Sequence, residues 1–443
     1  MGYIAFARSF YGKKIVRIHD SRGLTIGASG SAYDVFYRYP ASFLIPEDDP
    51  QFNKEGNTAN GAYGYMLNSR CWAYDVGLAL LVFATSGDYD ICLEMLNRMR
   101  EDQNDDGSWN FSYDIYIGKL FHDYVRTGAI GWIVWGACYA ILQMGGFGDE
   151  SLGFKKMLKK AGDWILSKQI TDTQDPRYGL LTGGYGVYDN DYNYTAEEIE
   201  WCSIEHQCST LQALEGLSLV LKTPKYRDAA ELIRDQLLLK CYDRQEKRFY
   251  QGIHGGVPDK AWALDCTSWA GMMIFSVAPF EIAQSCLDTA KEVYLVEDQP
   301  IVVSSEKDYY NQRYSSDERF SGFMPYSDKT PDYDGCPEIV WTEGTLGYSA
   351  LALILGKEEE AKKYVDECIK LQNCKNCTGG IMYSNATYGM MPWEFHTWES
   401  VVSSAWLYLI INNPAVLFPR SLRRVHYMAK IRNIYDERPA SRD

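Results

Sequence analysis

The sequence predicts an all-α main body, a closed double ring of helical hairpins of the (α/α)6 toroid type, preceded by a short irregular, β-rich N-terminal leader. Three observations carry this expectation. Apolar runs with no polar face alternate with amphipathic runs along most of the chain. Nearly every apolar run opens on a Trp followed within four residues by a carboxylate. A loop that combines Gly with aromatic residues leads into each apolar run after the first.

Val340–Gly356 (VWTEGTLGYSALALILG) shows the pattern best. A helix that is hydrophobic on every face is normally buried, yet its first turn carries Glu343, which is costly against a core unless it faces a cavity or a partner. Trp72 with Asp75, Trp201 with Glu205, Trp262 with Asp265 and Trp398 with Glu399 repeat the design.

In chain order, the apolar spans are Cys71–Thr85, Val125–Met144, Trp201–Leu221, Trp262–Val277, Trp341–Leu355 and Trp398–Ile411; Pro414 stops the last. Amphipathic spans follow the first five: Asp88–Asp102, Ser151–Lys168, Pro224–Tyr242, Phe280–Val293 and Glu358–Leu371. In the first of these, Leu93, Leu96 and Met99 are expected on one side. The spans recur at roughly 55–80 residues, too irregular for a short-period solenoid. The extra length lies in loops that include Asp106-Gly107-Ser108-Trp109, Gly183-Gly184-Tyr185-Gly186, Phe249-Tyr250-Gln251-Gly252, Phe320-Ser321-Gly322-Phe323 and Gly379-Gly380-Ile381-Met382-Tyr383. Buried helices inside and amphipathic helices outside make the double ring. A sixth outer helix is missing from the pattern, so Pro419–Arg432 or the leader is expected to close it.

Length alone, 443 residues, would suit two or three domains; the pattern instead gives a leader over 1–65, a toroid over 66–420 and a tail over 421–443. The leader holds Lys14–Ile18 (KIVRI), a Gly/Ser stretch and PASFLIPEDDP, with no helical period.

A net charge of −15 argues against a nucleic-acid backbone or an anionic membrane surface as partner. No apolar run reaches the ~20 residues of a membrane span, and the N-terminus carries no secretory-signal pattern. The expected location is the cytosol, with a surface or virion component as the alternative. The 34 Tyr and 12 Trp suit sugar-binding clefts as well as packing between helices. Most of the 12 Cys sit in apolar patterns as small hydrophobes. The lone pair Cys374 and Cys377 reads as loop cysteines rather than a zinc site.

Six helical hairpins, acidic groups at inner-helix N-termini and Gly/aromatic loops together resemble the six-hairpin glycosidase-like superfamily over roughly Arg70–Pro414. The segment Gln103–Trp109 (QNDDGSW) also resembles the Q-x-x-x-G-x-W repeat of terpene cyclases and prenyltransferases. The superfamily resemblance implies a carbohydrate substrate, inverting hydrolysis and no cofactor.

In such a ring the inner helices point their N-termini to one end, so acids far apart in sequence converge. Glycoside hydrolysis needs two carboxyls, one protonated acid and one base or nucleophile. Glu343 is the candidate acid, because Trp341, Gly344 and Gly347 give it an apolar setting that raises its pKa. The competing explanation is that an acid in a first turn simply complements the helix dipole. Glu205, placed by its spacing on one helical face with Trp201 and followed by His206, and Asp75, three residues after Trp72, are the candidate bases. A buried Glu205–His206 pair also reads as a satisfied core pair. Asp265, Trp262, Trp72, Tyr74, Trp201 and Trp341 are candidate sugar contacts, with Trp393, His396, Trp398 and Glu399 from the run WEFHTWE. Arg126, a cation where other inner helices carry acids, either neutralises the acidic ring or binds an acidic sugar. Asp105, Asp106 and Asp114 lie in a turn-rich loop and read as local hydrogen bonders.

The rival enzymatic reading is a polysaccharide lyase acting on a uronic acid through Tyr74 or His206 with Arg126 as neutraliser. An acyl-glucosamine-type epimerase would need several inner-face His, and the chain has six His in all. No D-x-D-D motif or zinc triad supports a terpene cyclase or prenyltransferase. A non-catalytic glycan-binding or structural module, attached to a larger assembly through its leader, is the alternative from another class.

Overall fold

A computed structural model describes residues 39–46, 67–115, 118–119, 124–189, 193–275, 278–301, 318–330, 333, 338–372, 379–390 and 393–419. Eleven α-helices dominate among the described residues. Six form an inner ring: α1 (Ala73–Ser86), α3 (Thr127–Gln143), α5 (Ile204–Leu221), α7 (Leu264–Ile274), α9 (Thr342–Ile354) and α11 (Val401–Asn412). Each packs against the next and α11 packs back on α1, so the ring is closed. Outside it lie α2 (Tyr89–Asp102), α4 (Phe154–Ser167), α6 (Pro224–Gln236), α8 (Phe280–Tyr294) and α10 (Glu358–Gln372), each against the inner helix that precedes it.

The two rings differ as the sequence requires. In α3 every residue from Thr127 to Ile141 is buried. In α2 the buried stripe is Cys92, Met95, Leu96 and Met99, the spacing of a one-sided helix. Leu93 was expected on that stripe but stands 37% exposed, because Cys92 and Met95 hold the inward positions.

One interaction recurs at the mouth. The first backbone N–H of each inner helix donates to a carbonyl in the segment that enters the next: Ala73 to Phe111, Thr127 to Gly183, Ile204 to Gln251, Leu264 to Pro325, Thr342 to Tyr383, and Val401 to Ser42. These bonds satisfy an N–H that has no partner within its own helix, and α1, α3, α5, α7 and α9 carry no side-chain cap. Short antiparallel pairs run beside them, such as Arg70–Trp72 with Ser112–Asp114 and Val125–Arg126 with Gly184–Tyr185. Phe43–Leu44 pairs with Glu399–Ser400 and completes the circuit. Residues 39–46, part of the expected leader, thus pack on the ring through this strand pair and the Ser42 carbonyl. The remainder of the leader, the tail after 419 with any sixth outer helix, and the Cys374–Cys377 pair lie outside the described residues.

The Q-x-x-x-G-x-W segment is structural. Gln103 donates to the carbonyls of Gly107 and Met157, and the buried Trp109 indole donates to Met99 O at 2.8 Å. Asp106 accepts locally from Ser108 and across the fold from Trp164, and Asp114 accepts from Ser69, 45 residues away, so only the Ser108 bond is local. No helix among the described residues is long and apolar enough to cross a membrane.

Candidate active site

The first turns of all six inner helices meet around one cavity of about 400 Å³. They supply Tyr74 and Asp75, Gly128 and Ala129, Glu205 and His206, Asp265, Glu343, and Val402. The entering segments add aromatic walls, among them Phe43, Trp72, Phe111, Trp341, His396 and Trp398, and Trp132 lies one turn deeper on α3. Asp75, Glu205, Asp265 and Glu343, separated by up to 268 residues in sequence, thus share one chamber.

Local packing fixes the carboxyls. Glu343 Oε1 accepts from the Tyr74 hydroxyl across the ring. A Cβ on Gly344 would come within 2.3 Å of Trp341 Cε3 and 2.7 Å of Leu264 Cδ2, so only glycine lets Trp341 fold over the turn that carries Glu343. Gly344→Ala is therefore expected to cost about 1–3 kcal/mol through overpacking, read as a lower urea midpoint with an unchanged slope. Gly128 does the same for His206, whose Cδ2 lies 2.3 Å from where a Cβ would be. Asp265 Oδ1 accepts from the Cys266 N–H at 2.8 Å.

Burial sets the electrostatics. It disfavours the charged form of every carboxyl, and the acids raise one another further. Glu343 is pushed well above its usual value by desolvation, against a lowering hydrogen bond from Tyr74, and then by the charges of Glu205, Asp265 and Asp75. Desolvation lifts Asp75 to about 7, opposed by a hydrogen bond with Ser42. Desolvation and then Asp265 lift Glu205 to about 8. Asp265 is also raised by burial but is held back by the N–H of Cys266. Burial, then the Arg126 charge, pulls His206 down to about 3, so His206 is neutral near pH 7.

Several expected sugar contacts lie elsewhere. Arg126 is turned to the 184–188 strand, donating to Tyr185 O at 2.9 Å and Gly186 O at 3.1 Å over the Tyr124 ring. Its charge is felt at His206, and no Lys or Arg is among the described residues that line the cavity. Trp201 precedes α5 instead of sharing its face with Glu205, and packs behind His206 with ring centroids 5.1 Å apart. Trp262 precedes α7 and is stacked by the Arg248 guanidinium at 3.8 Å and the Lys329 ammonium at 4.2 Å. Glu399 sits in the closing strand, not in the first turn of α11, and accepts the Gly380 N–H at 2.8 Å. Arg126 and Glu399 occupy extended backbone, where neighbours in sequence point to opposite sides. The Trp393 side chain lies outside the described residues.

Phe43, Phe111, Trp132, Tyr326 and Tyr383 line the cavity without having been singled out as site residues. Tyr383 and Phe111 belong to or adjoin the Gly/aromatic loops, which was their signal. Phe43 has none in its own neighbourhood. It contacts Trp72, Tyr383, His396 and Trp398 edge-on, with centroids 5.5–6.2 Å apart. His396 and Trp398 stack at 3.7 Å beside it. Among the described residues no group of three or more His, Cys, Asp or Glu is arranged to hold a metal ion.

No protein-family model and no curated protein sequence matches the chain. Solved structures do. A glycosidase in complex with glucose aligns with a TM-score of 0.53 at 10% identity, over 94% of this chain and 99% of that one. An α-amylase from Clostridium perfringens aligns with a TM-score of 0.53 at 11% identity, over 85% and 92%. A cellobiose 2-epimerase from Bacillus thermoamylovorans aligns with a TM-score of 0.52 at 10% identity, over 82% and 95%. At such identities the likeness is one of fold, and hydrolases and isomerising enzymes both carry it. The chain shares the (α/α)6 toroid fold of these enzymes, and no family is assigned to it.

Proposed function

We propose that the protein is a glycoside hydrolase acting on an uncharged oligo- or polysaccharide by paired-carboxylate, inverting catalysis. The observation that carries this reading is the gathering of four acids from four inner helices, Asp75 buried and Glu205, Asp265 and Glu343 partly buried, into one aromatic-walled cavity with no cation among its described lining residues. Sugars offer apolar ring faces to aromatic side chains and hydroxyls to carboxyls. A uronic acid in the same place would meet like charges, with no Arg or Lys among the described lining residues to offset them, which counts against a lyase. Glu343, held protonated, donates to the glycosidic oxygen. Asp75, which changes charge near neutrality, is the better-suited base, since a catalytic pKa near the operating pH serves proton transfer best. Glu205 would be mostly protonated at pH 7 and suits hydrogen bonding to sugar hydroxyls.

The deciding experiment is release of reducing ends from a panel of neutral gluco-, manno- and xylo-oligosaccharides, run beside uronate-containing ones. Turnover confined to neutral members supports the reading. Turnover confined to uronates, with an unsaturated product, would replace it with a lyase.

A second reading has a specific observation behind it. His206 and His396 both line the cavity, and imidazoles beside carboxyls also suit proton transfer at a sugar carbon, as in isomerisation or epimerisation. That reading predicts a rearranged sugar with no new reducing ends.

A further inference from the structure

Glu343 does not stand alone in the cavity wall. Its Oε1 accepts from the Tyr74 hydroxyl on α1, and the Tyr74 oxygen in turn accepts from the Trp406 indole of α11 at 3.1 Å. The rings are held in place: Tyr74 sits edge-on to Trp132 at 4.6 Å, and Trp132 packs against Trp269 at 5.1 Å and Trp406 at 6.1 Å. Trp406 is 3% exposed and is not part of the cavity lining.

Counting protons fixes the direction of this chain. An indole N–H can only donate, and a phenol has one proton to give. With Trp406 donating to the Tyr74 oxygen, the Tyr74 proton has Glu343 Oε1 as its acceptor. Were Glu343 to donate from Oε1 instead, the partly buried Tyr74 oxygen would take two donors and its own proton would lose its carboxyl acceptor, which is unfavourable. Oε1 is thereby kept as an acceptor. Burial and the Glu343 charge also keep the Tyr74 phenol protonated.

We infer that Trp406 and Tyr74 are positioning residues that confine the transferable proton of Glu343 to Oε2. On transfer, the O–H bond at Oε2 breaks and the proton passes to the leaving oxygen of the sugar. The carboxylate left behind stays hydrogen-bonded to Tyr74. The catalytic role of Glu343 rests on the hydrolase reading above; the placement of its proton does not.

The groups that face Glu343 are Tyr74 and Asp75 from α1, Glu205 and His206 from α5, Asp265 from α7, and Tyr383 and His396 from the entering segments. Of these, Tyr74 is the one whose hydrogen bond lowers the Glu343 pKa, so its removal must raise that pKa. The test is an infrared titration of the carboxylic-acid band that E343Q abolishes, recorded for wild type, Tyr74→Phe and Trp406→Phe. In Tyr74→Phe the deprotonation midpoint is expected at an about tenfold lower proton concentration than in wild type. In Trp406→Phe it shifts the same way by less, because the phenol becomes a weaker donor. Where turnover is measurable, the alkaline limb of the kcat profile moves with the band, and kcat falls about tenfold with KM little changed. A role confined to packing would lower thermal stability and leave both midpoints in place. That outcome, or a shift to lower pH, overturns the inference. If the wild type cleaves no sugar, the hydrolase reading fails while the infrared midpoints still decide the proton chain.

Discussion

Glu343→Gln is expected to lower turnover of the preferred oligosaccharide by about 10²- to 10⁴-fold, the range a general acid contributes. Glutamine keeps the shape of the protonated carboxyl and its carbonyl can still accept from Tyr74. The mutant should therefore fold and bind the sugar with a Kd near that of wild type, so the loss falls on kcat. Asp75→Asn should also cost kcat, but with the acidic limb of the pH profile removed, because Asp75 must be ionised to act as base. Isothermal titration and steady-state kinetics on the same protein separate the two parameters. A Glu343→Gln enzyme that retains more than a tenth of wild-type kcat would remove Glu343 from the acid role.

The second large effect is on stability. Asp75 has its pKa raised in the folded protein, from 3.8 to about 7, so the folded state binds more protons than the unfolded state between those values. Stability is then fully present below about pH 4 and is lost as pH rises through 7. Three units correspond to about 4 kcal/mol, an order-of-magnitude figure for a side chain only 4% exposed. Glu205, Asp265 and Glu343 are shifted the same way and add to the slope. Urea midpoints should fall between pH 5 and pH 8, and Asp75→Asn should flatten the trend. The net charge of −15 also favours unfolding as pH rises, which is why the single substitution is the needed control. Equal slopes for wild type and Asp75→Asn would contradict the buried-acid account.

The architecture was legible because an all-round apolar helix has no soluble alternative to burial. The inner spans starting at Val125, Trp262 and Trp341 match α3, α7 and α9 to within a few residues at each end. The helix starts were misjudged in one direction. Cys202, Ala263 and Glu399, next in sequence to Trp201, Trp262 and Trp398, pair with a neighbouring segment, and such pairing reaches across tens of residues without a local period. That displacement moved Trp201, Trp262 and Glu399 off the cavity, whereas Asp75, Glu205, Asp265 and Glu343, lying inside their helices, were brought to it. Phe43 and Ser42 were invisible for a related reason. Their part in the ring exists only once α11 returns to meet α1, and two strand residues carry no pattern of their own. Arg126 could be seen as an exception among acids, but its bonds to the Tyr185 and Gly186 carbonyls, 59 and 60 residues away, could not.

The account stands on the cavity acids cleaving a glycosidic bond, and a proton NMR time course in D2O with the best oligosaccharide from the panel tests that directly. The expected spectrum shows new anomeric signals of inverted configuration before mutarotation, no deuterium at the sugar carbons, and neither change with Glu343→Gln. Deuterium entering at C2 without shortening of the chain would contradict it and make the protein a sugar isomerase or epimerase.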